Sequence, residues 1–241
     1  MALFYAAVTK EIGIEMATKP PKDLAGHRKQ SVKLRTARGR TNSSQRWLQR
    51  QLNDPYVQKA KAEGYRSRAA YKLIEINEKY NLIHPGMTIV DLGAAPGGWS
   101  QVLSRWGADQ TLIALDLLEM DPLEDVTFIQ GDFTDEDIYQ ELLSYAADGI
   151  DVVLSDMAPV TTGHKKTDHI RIMDLVEQAC YFAIDVLKPG GSFVAKTLQG
   201  GGQNDVMILL KKNFQKVSHF KPASSRKESS EMYVIAQGFK E

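Results

Sequence analysis

Short apolar runs alternate with amphipathic stretches along the chain after residue 86. Five apolar runs are rich in β-branched residues and predict strands, at 87–92, 111–117, 126–130, 150–155 and 192–197. Between these runs, apolar residues recur at the spacing of a helix, at 99–106, 135–147, 168–187 and 205–213. This alternation predicts an α/β fold in which a mostly parallel sheet carries helices on both faces.

The last two apolar runs, 217–220 and 232–237, are joined by a polar loop instead of a helix. Consecutive strands without a crossover helix pair in antiparallel directions. The sequence therefore predicts seven strands in a Rossmann-like, doubly wound arrangement, with an antiparallel last strand at the edge of the sheet. Thr134 and Asp137 have the spacing of a capping box, which predicts the start of the second of the four helices.

The region before residue 86 predicts two further helices. Ser43 or Ser44 can cap the first, which Pro55 interrupts. The second follows Gly64 and has apolar residues at helical spacing: Ala69, Leu73, Ile76 and Tyr80. We expect these helices, within 45–80, to belong to the same domain as the sheet.

The composition limits the class of protein. A chain of 241 residues with 43% hydrophobic residues suits one large domain with a full core and an extension. Its apolar runs are shorter than the roughly 18 residues of a membrane helix, and the first residues lack the basic start of a secretory signal. Cys180 is the single cysteine, which excludes an intramolecular disulfide and a multi-cysteine metal site. We expect a soluble, cytoplasmic monomer without a metal ion.

Charge is divided unevenly along a chain whose formal net charge is zero. Residues 1–50 hold eleven Lys or Arg against three acids, and residues 51–241 hold 19 basic against 27 acidic groups, so the two parts carry +8 and −8. Residues 19–44 contain almost no large apolar side chain, which predicts a flexible arm. A basic arm on an acidic body indicates a nucleic-acid partner, although a solubility tail has the same composition. We therefore predict an arm at 1–43 and one domain at 44–241.

A glycine-rich turn follows the first predicted strand, in the sequence Asp91-Leu-Gly-Ala-Ala-Pro-Gly-Gly-Trp99. Its three glycines permit a tight turn and the close approach of a ligand, at the strand ends where open α/β sheets bind nucleotides. Ala95 stands where the dinucleotide fingerprint G-x-G-x-x-G has its second glycine, the one that faces the pyrophosphate. Together with Pro96, this difference favours a ligand without phosphates, such as the methionine part of S-adenosylmethionine.

Acidic residues lie at the ends of three successive predicted strands. Asp91 is in the first, and Asp116 closes the second, 25 residues later, where a carboxylate can accept both ribose hydroxyls of a nucleoside. Asp132 follows the third strand, where it can accept from an adenine amino group. Each acid alone has the alternative of a solvated strand-end residue. Three of them beside one glycine-rich turn predict an S-adenosylmethionine site.

The fourth and fifth strands carry the candidates for chemistry. Asp156 follows the fourth strand and Lys196 lies near the end of the fifth, so adjacent strand ends bring the two side chains together. Methyl transfer from a sulfonium to a hydroxyl requires an aligned nucleophile and removal of its proton. A buried lysine can accept such a proton. We therefore predict a methyltransferase that acts on oxygen.

Other reactions leave residue patterns that this chain lacks. A cytosine-C5 methyltransferase needs a nucleophilic cysteine, but Cys180 lies in an apolar helical pattern and is predicted to be a core residue. Amino-methylating enzymes place a Pro-Pro-aromatic turn after the fourth strand, where this chain has Met157-Ala-Pro159. A nicotinamide-dependent oxidoreductase and a non-catalytic RNA-binding factor with the cofactor fold are the two alternatives.

Two long motifs, DLGAAPGGWSQ at 91–101 and SDMAP at 155–159, resemble the FtsJ (RrmJ, RlmE) family of ribosomal RNA ribose methyltransferases. The resemblance covers roughly residues 44 to 240 and includes further motifs in family order: Ser67-Arg-Ala-Ala-Tyr-Lys-Leu73, Pro189–Lys196, and Ser224-Ser-Arg226 with Glu231-Met-Tyr-Val-Ile235. It implies a class I methyltransferase that uses S-adenosylmethionine. The implied substrate is the 2′-hydroxyl of a uridine in 23S ribosomal RNA, within the large ribosomal subunit.

The resemblance also implies roles for individual residues. The cofactor contacts map onto five positions: Gly97, Trp99, Asp116, Asp132 and Asp156. The catalytic tetrad maps onto four positions: Lys72, Asp156, Lys196 and Glu231. Lys196 is the implied proton acceptor, Lys72 would assist it or hold the RNA, and the two acids would orient the lysines.

Two members of this tetrad have plain alternatives in the sequence. Lys72 shares a predicted helix face with Arg68, Glu75 and Lys79, which is the pattern of a solvated surface. Glu231 begins a strand beside a polar loop, where an acid can protect a sheet edge from aggregation. Lys196 and Asp156 are therefore supported by the sequence pattern itself, whereas Lys72 and Glu231 depend on the resemblance.

Overall fold

The structure is a computed structural model that describes residues 45, 49–107, 109–159, 163–199 and 204–241. The chain divides into two compact units, residues 1–53 and 54–241. In the first unit the described residues 45 and 49–52 are helical. The predicted arm at 19–44 and the predicted cap at Ser43 or Ser44 lie outside the described residues.

The second unit contains six helices and seven strands among its described residues. The helices are α1 Pro55–Ala62, α2 Ala70–Tyr80, α3 Gly98–Trp106, α4 Glu136–Ser144, α5 Lys165–Val186 and α6 Asn204–Asn213. The strands are β1 Thr88–Leu92, β2 Thr111–Asp116, β3 Val126–Gln130, β4 Ile150–Ser155, β5 Leu187–Leu198, β6 Phe214–Phe220 and β7 Glu231–Phe239. All seven strands predicted from the sequence are present, with boundaries that differ mainly at β5 and β6.

The seven strands form one sheet in the order β3-β2-β1-β4-β5-β7-β6. Strands β1 to β5 pair in parallel, and β7 pairs antiparallel with both β5 and β6. The predicted mostly parallel α/β fold with an antiparallel last strand is confirmed. The prediction that the last strand lies at the edge is wrong, because β7 lies between β5 and β6 and leaves β6 as the edge strand.

Successive residues of the central strands enter two different hydrophobic cores, because side chains alternate between the two faces of a strand. Val90, Ile113 and Val153 pack in the core that also holds α4, α5 and α6. Ile89 and Leu112 pack on the opposite face, with residues of α2 and α3. Both faces are therefore covered, which explains why these strands are continuous apolar runs in the sequence.

Helix α1 was not predicted from the sequence. Its N-cap is Asp54, whose carboxylate accepts hydrogen bonds from the backbone N–H groups of Tyr56 and Val57. Pro55 occupies the first position of the helix, where its missing N–H costs no hydrogen bond. Pro55 therefore ends one helical pattern, as predicted, and also begins the next helix.

The start of α4 also differs from the prediction. The N-cap is Asp135, and its side chain makes no capping hydrogen bond. Thr134 instead donates its hydroxyl to Oδ1 of Asp132 at 2.7 Å, and its backbone N–H bonds to the same oxygen at 2.9 Å. The predicted capping box of Thr134 and Asp137 is therefore wrong, because Asp132 competes for Thr134 locally.

The fold accounts for two other features of the sequence. Cys180 is buried within α5 and belongs to the hydrophobic core, as predicted, and burial raises the pKa of its thiol to about 12. Among the described residues, no helix combines the length and apolar character that crossing a membrane requires.

Candidate active site

The candidate site lies at the carboxyl ends of the three central strands β1, β4 and β5. The glycine-rich turn follows β1, Asp156 follows β4, and Lys196 lies in the last part of β5. Strand β4 pairs with both β1 and β5, so the three features are neighbours. A cavity of about 250 Å³ opens beside them and is lined by Ser67, Arg68, Ala69, Asp91, Gly93, Ala94, Ala95, Pro96, Gly98, Trp99 and Asp156.

The backbone of the glycine-rich turn passes close to neighbouring segments. A Cβ atom at Gly93, which has a φ of 73°, would lie 2.4 Å from Cγ of Met157. A Cβ atom at Gly98 would lie 2.3 Å from the hydroxyl oxygen of Ser67. Real Cβ contacts are longer than this. At Gly93 a side chain would also be strained by the positive φ and would crowd the backbone of Met157, whereas at Gly98 it would force the Ser67 hydroxyl to move.

Lys72, Asp156, Lys196 and Glu231 form one ion-paired cluster beside the cavity. Nζ of Lys196 lies 3.1 Å from Oδ1 of Asp156 and also donates to the backbone oxygen of Asp156. Nζ of Lys72 lies 3.7 Å from Oδ2 of Asp156 and 2.9 Å from Oε1 of Glu231. The structure therefore brings all four predicted tetrad residues together, from α2, the end of β4, β5 and the start of β7.

The electrostatics of the cluster are dominated by the two lysines. Burial alone raises the pKa of Asp156, but the ammonium groups of Lys196 and Lys72 outweigh it and hold the pKa of this carboxyl below its usual range. The hydroxyl of Tyr233 donates to Oδ1 of Asp156 at 2.6 Å. Burial and the neighbouring Asp156 carboxylate raise the pKa of Tyr233 well above its usual value, so this phenol stays a neutral donor.

Lys72 and Glu231 do not have the surroundings that the sequence pattern suggests. Lys72 and Lys196 are each only 8% exposed, so Lys72 is not part of a solvated helix face. Glu231 begins an interior strand and not an edge strand. The hydroxyl of Ser225 donates to Oε1 of Glu231 at 2.8 Å, which fixes the carboxylate on the side of Lys72. Both plain alternatives are therefore wrong.

The loop that carries Ser225 is held against the helices that precede the sheet. Arg68 forms an ion pair with Asp54 and donates to the backbone oxygen of Ser224. The carboxylate of Glu75 accepts from the backbone N–H of Ser224 at 3.1 Å. Arg226 also reaches Asp54, at 3.3 Å. These contacts connect α1 and α2 to the segment that leads into Glu231.

The predicted cofactor residues occupy different places around the cavity. Asp116 ends β2, and its Oδ2 accepts from the backbone N–H of Ala95 in the glycine-rich turn at 2.9 Å. Trp99 lines the cavity but is 2% exposed, and its indole donates to the backbone oxygen of Ala69 at 2.9 Å. Gly97 caps α3 with a φ of 97°. Asp132 follows β3, accepts from Thr134 and is not among the residues that line the cavity.

Comparison with known proteins decides the family of this chain. A sequence model described as FtsJ-like methyltransferase matches residues 65–239, which include the whole cluster and the glycine-rich turn. The chain belongs to the FtsJ-like methyltransferase family.

Its similarity to members of this family extends over most of the chain. A protein of Granulibacter bethesdensis named Ribosomal RNA large subunit methyltransferase E is 55% identical over 92% of this chain and 95% of its own length. A protein of the same name from Zymomonas mobilis is 55% identical over 86% of this chain and 94% of its own. A solved structure of a candidate ribosomal RNA methyltransferase from Plasmodium falciparum has 34% identity and a TM-score of 0.66, over 73% of this chain and 98% of that chain.

S-adenosylmethionine is the methyl donor of FtsJ-like methyltransferases, and the predicted cofactor is confirmed. The site fits this molecule, because the glycine-rich turn leaves a cavity of about 250 Å³ directly beside the buried cluster. Asp156 lines the cavity with a carboxylate, which suits the positive charges of the donor, and Asp116 bonds to Ala95 in the cavity-lining turn. Among the described residues, no group of three or more His, Cys, Asp or Glu could hold a metal ion.

Several residues of this FtsJ-like site were not found from the sequence. Tyr233 was missed, although the two-residue period of a strand places it on the same face of β7 as Glu231. Asp54 was missed because its partners Arg68 and Arg226 lie 14 and 172 residues away, and no local pattern signals such contacts. Ser225 belongs to a motif of the resemblance, but its contact with Glu231 was not predicted.

Asp91, at the start of the glycine-rich turn, belongs neither to the tetrad nor to the five predicted cofactor contacts. It is fully buried and accepts from the hydroxyl of Ser100 at 2.6 Å. Burial raises the pKa of Asp91 to about 7, against the effect of the Ser100 hydrogen bond. The folded protein therefore holds a proton on Asp91 between about pH 4 and pH 7 that the unfolded chain has already released.

The Asp91→Asn variant should change the pH dependence of stability. Because the folded-state pKa of this acid is raised, its contribution to stability falls as pH rises from about 4 to 7 and is level above that. Relative to Asp91→Asn, the parent should lose on the order of 1 kcal/mol per pH unit in this window. Urea unfolding of both proteins at pH 5, 6 and 7 measures the difference. Parallel curves for the two proteins would contradict the assignment to Asp91.

Proposed function

We propose that this FtsJ-like methyltransferase transfers the methyl group of S-adenosylmethionine to a ribose 2′-hydroxyl of ribosomal RNA. The observation that carries the proposal is the contact of Lys196 with Asp156 at the edge of the donor cavity. A ribose hydroxyl is a weak acid, so a proton acceptor beside the transferred methyl is useful. The names of the relatives support ribosomal RNA as the substrate.

In the proposed reaction, S-adenosylmethionine supplies a methyl group that is activated by the positive charge on sulfur. The side chain of Lys196, in its neutral form, accepts the proton of the 2′-hydroxyl. The ribose oxygen forms its bond to the methyl carbon, and the electron pair of the broken sulfur–carbon bond remains on sulfur. The ammonium formed at Lys196 is stabilised by the carboxylate of Asp156, whose oxygen lies 3.1 Å away.

The other two tetrad residues support this step. Lys72 contacts Oδ2 of Asp156 and Oε1 of Glu231, so it holds in place the carboxylate that Lys196 contacts through its other oxygen. Glu231, held by Ser225, fixes Lys72 in place.

The remaining proposed contacts are with the donor. Trp99 lies in the first turn of α3, where backbone N–H groups lack partners within the helix and can bind the methionine carboxylate, and Gly97 is the cap of this turn. Asp116 would accept the ribose hydroxyls of the donor, and Asp132 its adenine amino group. Asp156 borders both the donor cavity and the tetrad, so it would face the methionine part.

We further propose a uridine of 23S ribosomal RNA in the large ribosomal subunit as the target, with a cytoplasmic monomer as the acting form. The relatives named for the large subunit, and the resemblance of the motifs, support this target. Mass-spectrometric mapping of ribose methylation in cells with and without the protein tests it. A single 2′-O-methyluridine of 23S ribosomal RNA should be lost without the protein. Loss of a methyl group from another RNA instead would contradict 23S ribosomal RNA as the target.

A transfer assay tests the activity itself. Purified protein, radiolabelled S-adenosylmethionine and large ribosomal subunits from cells that lack the protein should yield labelled RNA. A non-catalytic RNA-binding factor would bind the subunits without transfer of label, which would contradict the proposal.

We also propose that the basic segment 1–43 contributes to RNA binding. Deleting residues 1–40 should weaken binding and flatten its salt dependence, because each phosphate contact adds close to one unit to the slope of log affinity against log salt concentration. A full-length control with the Lys and Arg of this segment changed to Gln should behave like the deletion. An unchanged slope in both proteins would leave the segment as a solubility tail.

A further inference from the structure

Arg66 connects the two loops that border the proposed donor site. Its Nη1 donates to the backbone oxygen of Pro96 at 3.2 Å and to that of Asp121 at 2.7 Å, and its Nη2 donates to that of Pro122 at 2.8 Å. We propose that Arg66 is a positioning residue for donor binding, which holds the glycine-rich turn after β1 and the loop after β2 in fixed relation to each other.

The glycine-rich turn is part of the proposed donor site, and the other loop begins directly after Asp116, a proposed donor contact. Pro96 lies in the turn that lines the cavity, and residues 117–123 follow directly after Asp116. The end of β2 is already joined to the turn: the carboxylate of Asp116 accepts from the backbone N–H of Ala95, and the backbone N–H groups of Gly93 and Ala94 donate to the backbone oxygen of Leu115. Arg66 adds a connection between the turn and the residues beyond Asp116, and so helps to set the spacing between the methionine and ribose contacts.

The close approach of Arg66 also gives a physical reason for glycine at position 97. A Cβ atom at Gly97 would lie 2.7 Å from Nη1 of Arg66 and 2.9 Å from the sulfur of Met120. Gly97 has a φ of 97°, so a side chain there is strained in addition to being crowded. The guanidinium that lies against the turn therefore restricts the residue at position 97, in addition to any restriction by a bound ligand.

Arginine suits this position better than lysine. A guanidinium presents several N–H groups in a rigid planar fork and can reach carbonyls of two segments at once. Hydrogen bonds from a charged donor are also stronger than those between neutral groups. A lysine ammonium is a compact donor on a flexible stem and cannot hold all three carbonyls in the same geometry.

The segment that begins at Arg66 continues towards the tetrad. Ser67 and Ala69 line the donor cavity, and Lys72 follows in the first turns of α2. The backbone N–H of Arg66 is itself fixed by the side-chain oxygen of Gln101 in α3, at 2.8 Å. The guanidinium of Arg66 bonds to the two donor loops and to none of the tetrad residues. We therefore expect the tetrad to keep its contacts when the guanidinium is removed.

The test compares three variants, and it rests on the proposed function because the donor is its probe. Arg66→Ala should weaken S-adenosylmethionine binding about tenfold or more, since hydrogen bonds from a charged group are lost. Arg66→Lys should fall between Arg66→Ala and the parent. Arg105→Ala is the matched control, because Arg105 likewise donates to two backbone carbonyls, Glu63 and Gly64, but contacts neither donor loop. Isothermal titration gives the affinities.

Kinetics separate positioning from a general structural role. At saturating donor, Arg66→Ala should keep a kcat within about threefold of the parent, while its KM for S-adenosylmethionine rises about tenfold. Equal donor affinity in Arg66→Ala and the parent would overturn the proposal, as would an equal loss in Arg105→Ala. If Arg66→Ala does not fold, Arg66→Lys decides, and parental affinity in that variant overturns the proposal. A parent protein that binds no donor would instead contradict the proposed function.

Discussion

The Lys196→Ala variant should lose methyl transfer by about a thousandfold or more, because general-base catalysis contributes on the order of 10²–10⁴ and the tetrad acts as a unit. Donor affinity should change little, since Lys196 is not among the residues that line the cavity. Single-turnover transfer from radiolabelled S-adenosylmethionine measures the rate, and isothermal titration measures the affinity. Near-normal turnover would show that Lys196 is not the proton acceptor.

Two further variants make this result specific. Lys196→Arg keeps the positive charge but cannot lose its proton at neutral pH, so it should be as inactive as the alanine variant. Lys188→Ala is the matched control on the same strand, because Lys188 pairs with Asp151, a residue outside the tetrad, at 3.1 Å. This control should keep its turnover. Activity in Lys196→Arg would indicate a role for charge instead of proton acceptance.

The Asp156→Asn variant should have the second largest effect. Asparagine keeps the size of the side chain and can still accept from Tyr233, but it removes the negative charge that both Lys72 and Lys196 contact. Breaking a buried ion pair by removing one partner costs about 3–5 kcal/mol, so the melting temperature should fall. Turnover should fall about a hundredfold or more because Lys196 loses the group that orients and stabilises it.

The Asp151→Asn variant separates the effect of Asp156→Asn on stability from its effect on turnover. Asp151 lies on β4, the strand that leads to Asp156. It pairs with Lys188 and accepts from the backbone N–H of Thr88. Its replacement should lower the melting temperature while turnover stays near that of the parent. If Asp156→Asn loses only stability and keeps its turnover, the carboxylate does not take part in the reaction.

The strands of this protein could be predicted from the sequence because their signal is local. A buried parallel strand is a continuous apolar run, as in Ile150–Ser155, and its boundaries follow from the residues themselves. The order of strands in the sheet is not local. Nothing in residues 217–237 indicates that β7 pairs with β5 as well as with β6, and the edge was therefore assigned to the wrong strand.

The same distinction applies to the site. Asp156 and Lys196 could be found because they stand at strand ends and inside an apolar strand, where an acid or a lysine is unexpected. Lys72 could not be recognised from its helix, since its neighbours Arg68 and Glu75 are also charged. The structure shows that these charges face a distant loop: Arg68 bonds to Ser224, and Glu75 accepts from the same residue. Such burial depends on tertiary contacts that no window of sequence contains.

The place of β7 in the sheet has a consequence for how the protein becomes active during its own synthesis. Within the described part of the sheet β5 and β6 do not pair with each other, and β7 joins them. Strand β7 is synthesised after the other six strands, and it brings Glu231 to Lys72 in α2, a helix that precedes all the strands of the sheet. A nascent chain therefore has no complete tetrad until residue 231 has been made, and a message truncated after codon 230 yields a sheet in which β5 lacks its β7 neighbour and the tetrad lacks Glu231.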